Sequence, residues 1–154
     1  MTEDADGAAG HENFLISICC FAIILTMMEA TVRQWLEQAQ YDLGTSRALF
    51  KARKYLYAAF MCQQAVEKAI KAILANREKE IPLTHNLRKL AAVAGIEHEL
   101  GADRLDFLER LTPFAIKARY GSYKKRLSEI CDRKTAQDYL HKTEGLIKWL
   151  RKKI

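Results

Sequence analysis

A chain of 154 residues, 49% hydrophobic and 29% charged, is long enough to bury one self-sufficient core and too short to suggest a second domain. Residues 1–28 hold four acids (Glu3, Asp4, Asp6, Glu12) and no Lys or Arg, so the overall +6 leaves the remainder with 25 basic against 15 acidic side chains, a net of +10. That balance favours polyanions, nucleic acid or an acidic protein partner, through an attraction that salt weakens. The four cysteines have neither disulfide-framework nor zinc-ligand spacing and suit a reducing cytoplasm.

Phe14 to Met28 is a mostly apolar run of 15 residues, shorter than the ~20 a helix needs to cross a bilayer. Its leader is acidic and it ends in Thr26-Met27-Met28, unlike a secretory signal. Residues 1–28 are therefore expected to be an extension outside the core, with Met27 or Met28 as the expected start of the native protein. An interfacial or partner-binding peptide is the alternative. N-terminal sequencing that returned Met1 or Thr2 would refute the later start.

From Thr31 onward, capping signals and 3.6-residue periodicity recur without strand alternation, which predicts an all-α antiparallel bundle of about five helices over residues 29–154. Thr31 with Gln34 has the form of a capping box and opens a first helix through Val32, Trp35, Leu36, Ala39 and Leu43, to about Arg47 or Lys51. The second is expected from about Lys54 to Asn76, with Tyr55, Ala58, Ala59, Cys62, Val66, Ala69, Ile70 and Ile73 on its core face. Gln63, Gln64, Glu67, Lys68 and Lys71 form its polar stripe, expected to be solvated, with a Glu67 to Lys71 pair worth only ~0.3 to 0.5 kcal/mol.

After Pro82, Thr84 is expected to cap a short helix, about His85 to Val93, stopped by Gly95. Asp103 is the expected cap of a fourth helix through Leu105, Leu108, Leu111, Phe114, Ala115 and Ala118, bent at Pro113. Gly121-Ser122 reads as a break. Thr135 with Asp138 has the form of a capping box opening the last helix, whose seam is Ala136, Leu140, Thr143, Ile147, Leu150 and Ile154.

The segment Lys117 to Arg126 concentrates five cations with Tyr120 and Tyr123 beside the glycine break. Arginine pairs bidentately with phosphate, tyrosines offer stacking faces and lysines add attraction, a combination suited to single-stranded RNA or nucleotide. A solvated basic turn is the plainer reading. His85 is expected to pack or cap first and to contact ligand second. His98 and His141 look incidental, and no carboxylate cluster suggests a metal site or a bound cofactor.

Three stretches resemble the HEPN domains (higher eukaryotes and prokaryotes nucleotide-binding): Gln63 to Ala72 (QQAVEKAIKA), Thr84-His85-Asn86-Leu87 with Leu90, and Ala118-Arg119-Tyr120, in the usual order. The resemblance covers about residues 29–153. It implies a HEPN-like bundle, a homodimer, and the partner of a small nucleotidyltransferase in a toxin-antitoxin-like pair. It further implies nucleotide or RNA contact through Arg119, Tyr120, Tyr123 and Lys124, with Gln64, Lys68, Lys71 and His85 as the neighbouring polar face.

Many such domains are metal-independent ribonucleases with Arg, four to six residues, then His. This chain departs from that motif: Lys124, Lys125 and Arg126 stand at that spacing after Arg119, and seven residues separate Arg133 from His141 and Arg77 from His85. A neutral imidazole accepts a proton from a ribose 2'-hydroxyl near pH 7, whereas Lys or Arg stays protonated. Efficient cleavage is not expected. A degenerate ribonuclease toxin and a purely structural dimerisation module are the alternatives.

Overall fold

The computed structural model describes residues 7–117, 127 and 129–154; the side chains of residues 7–21, 116 and 117 are outside that description. Helix α1 runs Gly7–Lys51 and α2 runs Tyr55–Asn76. The turn between them needs only three residues, with Arg53 in the left-handed region at φ 59° and Lys54 N donating to Leu49 O at 2.9 Å. Pairings across the hairpin fix its direction. Ser46 meets Cys62, Asp42 meets Lys68 and Trp35 meets Lys71, so α1 retreats as α2 advances and the two are antiparallel.

Among the described residues, three helices of eight residues or more follow: α3 (Leu87–Ala94), α4 (Glu97–Leu111) and, after the four-residue α5 (Phe114–Lys117), α6 (Arg133–Leu150) with a 3-10 turn at Arg151–Lys153. With α1 and α2 these make an all-α bundle in which α2 packs against α1, α3, α4, α5 and α6. Its central position follows from its composition. Ala58, Ala59, Ala65, Ala69 and Ala72 let neighbours approach closely, and Cys62, Val66, Ile70, Ile73 and Leu74 fill the spaces between them. Phe107, Phe114 and Tyr139 close the other end of the core through edge contacts with ring centroids 5.6 Å apart.

Several expected boundaries move. Helix α1 does not begin at Thr31: its hydroxyl donates back to Met27 O at 2.9 Å, the mid-helix bond that competes with capping. Residues 22–31 are still exposed apart from partly buried Met28, and Val32 is the first buried side chain among the described residues. The α3 cap is Asn86, whose side chain accepts from Lys89 N, while Thr84 accepts from Asn86 N. Gly95 supplies the left-handed stop as expected, at φ 76°. Helix α4 starts at Glu97 and kinks at Gly101 (φ 73°), two residues before the expected cap Asp103. Pro113 ends α4 instead of bending it, because α5 starts afresh at Phe114. The last helix is capped by Asp132, which accepts from Thr135 N at 2.8 Å, and Tyr139 joins its expected seam. Among the described residues no helix is long and apolar enough to cross a membrane.

Candidate functional site

The polar stripe of α2 is not a solvated face. Gln63 is fully buried and Glu67 is 4% exposed, because α1 and the segment leading into α3 cover that side of the helix. Helical spacing puts Gln63, Glu67 and Lys71 one above another, and each link is made: Gln63 Nε2 donates to Glu67 Oε2 at 2.9 Å and Lys71 Nζ donates to Glu67 Oε1 at 2.8 Å. Lys71 also lies 5.3 Å from the Trp35 ring centroid, so its charge is met by a carboxylate and by a π face. Burial pushes the Glu67 carboxyl up, but the hydrogen bonds from Lys71, Gln63 and His85 outweigh it and hold the group below its ordinary value.

His85 completes the cluster from the opposite side. Its Nδ1 is 3.0 Å from Glu67 Oε2 and 3.2 Å from Oε1, and its backbone carbonyl accepts from Gln63 Nε2 at 3.3 Å. An ionised carboxylate only accepts, so His85 Nδ1 carries the proton in this contact and Nε2 is left for another partner. The side chain is 47% exposed. The buried carboxylate therefore orients a half-exposed ring whose other nitrogen has no hydrogen-bond partner among the described residues, the relation of an orienting group to a base.

Two chain segments converge at this corner. Leu87 N, two residues after His85, donates to Thr112 Oγ1 at 3.2 Å, which ties the start of α3 to the junction of α4 and α5. Helix α5 ends at Lys117, where the basic segment begins. Arg119, Tyr120, Tyr123 and Lys124 lie outside the described residues.

The remaining expected residues are drawn inward. Gln64 donates to Gln63 Oε1 at 2.6 Å, and Lys68 donates to buried Asp42 Oδ2 at 2.5 Å. Lys68 and Lys71 are thus each neutralised by a carboxylate within the fold, while His85 faces outward. Gln63 and Glu67 stood in the expected stripe without a site role, and Trp35 and Asp42, from the other helix, are the members that spacing along α2 could not single out. The usable signal was the run of alanines flanking the stripe, which marks a helix covered on more than one side.

Between α1, α2 and α6 a second polar group is purely internal. Ser46 Oγ donates to Ala58 O at 2.9 Å and lies 3.1 Å from Cys62 Sγ. Burial pushes the Cys62 thiol up, with the Ser46 and Thr143 hydroxyls partly opposing. Burial beside Asp132 and Cys62 pushes Cys131 up to about 11. Neither thiol is a nucleophile near neutral pH. Among the described residues no group of His, Cys, Asp and Glu could hold a metal ion.

A family model described as HEPN domain matches residues 32–153. Its first matched residue is also the first buried one among the described residues. In solved structures, TT1696 from Thermus thermophilus is similar at 22% identity and a TM-score of 0.67, over 80% of this chain and 98% of that one. ST0689, described as an archaeal HEPN homologue, is similar at 23% identity and a TM-score of 0.64, over 78% and 94%. At such identity these likenesses show the fold alone. No curated protein matches the chain.

Proposed function

The chain belongs to the HEPN domain family, and from that premise we propose that it is a nucleotide- or RNA-binding module that works as a homodimer beside a small nucleotidyltransferase, without efficient catalysis of its own. The single observation that carries the binding role is His85, half-exposed and held through Nδ1 by a buried, ionised Glu67. A polar network inside a helix that otherwise builds the core costs folding energy that apolar residues of similar volume would not. Its most exposed member is the His85 ring, held in place through Nδ1. The ring's Nε2, with its lone pair uncommitted, can accept from a ribose hydroxyl or a base-edge N–H, and the basic stretch from Lys117, with Arg119, Tyr120, Tyr123 and Lys124, supplies phosphate-pairing charge and stacking next in sequence to α5. The +10 of residues 29–154 adds long-range attraction for a polyanion. A toxin-antitoxin-like pairing with a nucleotidyltransferase is the setting in which such a module fits.

The test is titration of the full chain with labelled single-stranded RNA and with ATP at low and moderate salt, wild type beside Arg119→Ala. Salt-sensitive binding that the variant loses, with an unchanged melting temperature, supports the reading. Absence of binding at low salt rejects it. The Glu67 to His85 contact favours one second reading, a residual metal-independent ribonuclease, since an oriented imidazole is what proton abstraction from a 2'-hydroxyl requires. RNA cleavage abolished in both His85→Ala and Arg119→Ala would establish that reading; intact RNA after prolonged incubation would remove it.

A further inference from the structure

The outer face of α1 carries a feature that the core does not need. Tyr41 is 76% exposed and lines two clefts at once: one of about 530 Å³ with Arg33, Leu36, Glu37, Gln40 and Arg151, and one of about 290 Å³ with Glu37, Gln38, Asp42 and Lys68. Its ring thus stands as a ridge open on both flanks. Cations around it differ in availability. Lys68 is neutralised by Asp42 and Arg47 by Glu144, whereas Arg33 and Arg151 have no ion-pair partner among the described residues. Arg33 comes from α1 and Arg151 from the 3-10 turn after α6, so two guanidinium groups approach the larger cleft from different elements, against the one carboxylate of Glu37. From Arg33 to Tyr41 is two helical turns, roughly 12 Å at 1.5 Å per residue.

We propose that this ridge is a second contact site for single-stranded RNA, with one base stacked on Tyr41 and backbone phosphates on Arg33 and Arg151. The proposal rests on the RNA-binding reading above and extends it to Tyr41, Arg33 and Arg151, none of which belongs to the stretches that resemble the family. An exposed tyrosine is a sequence-tolerant stacking platform, and guanidinium groups with no internal carboxylate partner have their bidentate donors free for phosphate. Gln40, between the two in the same cleft, can hydrogen-bond a base edge with its amide. A strand contacting both this face and the His85 corner would be held at two places.

The experiment is fluorescence-anisotropy titration of the full chain with a labelled single-stranded oligoadenylate. Tyr41→Ala is expected to weaken binding roughly five- to 150-fold, the range for losing one stacked base, while Tyr41→Phe keeps the affinity within about twofold. The Arg33→Ala/Arg151→Ala pair is expected to flatten the salt dependence by about 1.4 in log-log slope, the value for two single-strand phosphates. All three positions are exposed, so unchanged melting temperatures are expected to accompany these losses. RNA binding that needs Arg119 and is indifferent to Tyr41→Ala overturns this proposal and leaves the module reading standing. No RNA binding by the wild type overturns both.

Discussion

Glu67 shows how one residue joins the fold to the site. It is buried, ionised and bonded to Gln63, Lys71 and His85, so removing its charge leaves the mostly buried Lys71 ammonium without its counter-ion. Glu67→Gln is expected to cost about 1–3 kcal/mol at neutral pH in denaturant unfolding. Because the folded-state pKa is lowered from its ordinary 4.5, the stabilisation is present above that value and lost as pH falls through the folded one. Wild type and Glu67→Gln should therefore converge in stability below pH 4.5; a gap that stayed constant on acidification would assign the cost to packing. The sequence showed the Gln63, Glu67, Lys71 spacing but not its burial, since spacing fixes which residues share a helix face and not what covers it. Cys62 and Cys131 make a second residue-scale test. Both thiols are buried and pushed up, so neither should alkylate with iodoacetamide in the native state, and both should on unfolding.

Helix spans were legible where local chemistry decides them. Helix α2 was expected at about Lys54 to Asn76 and runs Tyr55–Asn76, because alanine-rich periodicity and Pro82 both constrain it. Helix starts were less legible, since two or three residues in one stretch can cap. Thr84 and Asn86 compete before α3, and Asn86 wins because its side chain reaches Lys89 N while Thr84 is used on Asn86 N. Asn86→Ala should thus cost about 1 kcal/mol and Thr84→Ala less, measured as shifts in the melting temperature. The end of α2 holds the opposite opportunity. Glu78 takes φ 53° while Glu78 N donates to Ala75 O and Lys79 N to Leu74 O, the pattern that glycine favours at a helix C-terminus. Glu78→Gly should stabilise the protein by about 1 kcal/mol, and a lower melting temperature would contradict that assignment.

At the scale of the molecule, the sequence already implied an all-α bundle, and the structure is one, with α2 packed against α1, α3, α4, α5 and α6. What it could not supply is adjacency. Nothing in the spacing of Leu87 and Thr112 announces the hydrogen bond that sets the start of α3 beside the junction of α4 and α5, and that bond ties the His85 corner to the helix that leads into the basic segment. The central claim is that RNA meets the protein at this corner. Ultraviolet crosslinking of the full chain to single-stranded RNA at low salt, with mass spectrometry of the adducts, tests it most directly. Adducts on the peptides containing His85 or residues 117–126 are predicted; adducts that avoid both, or none at all, would contradict it.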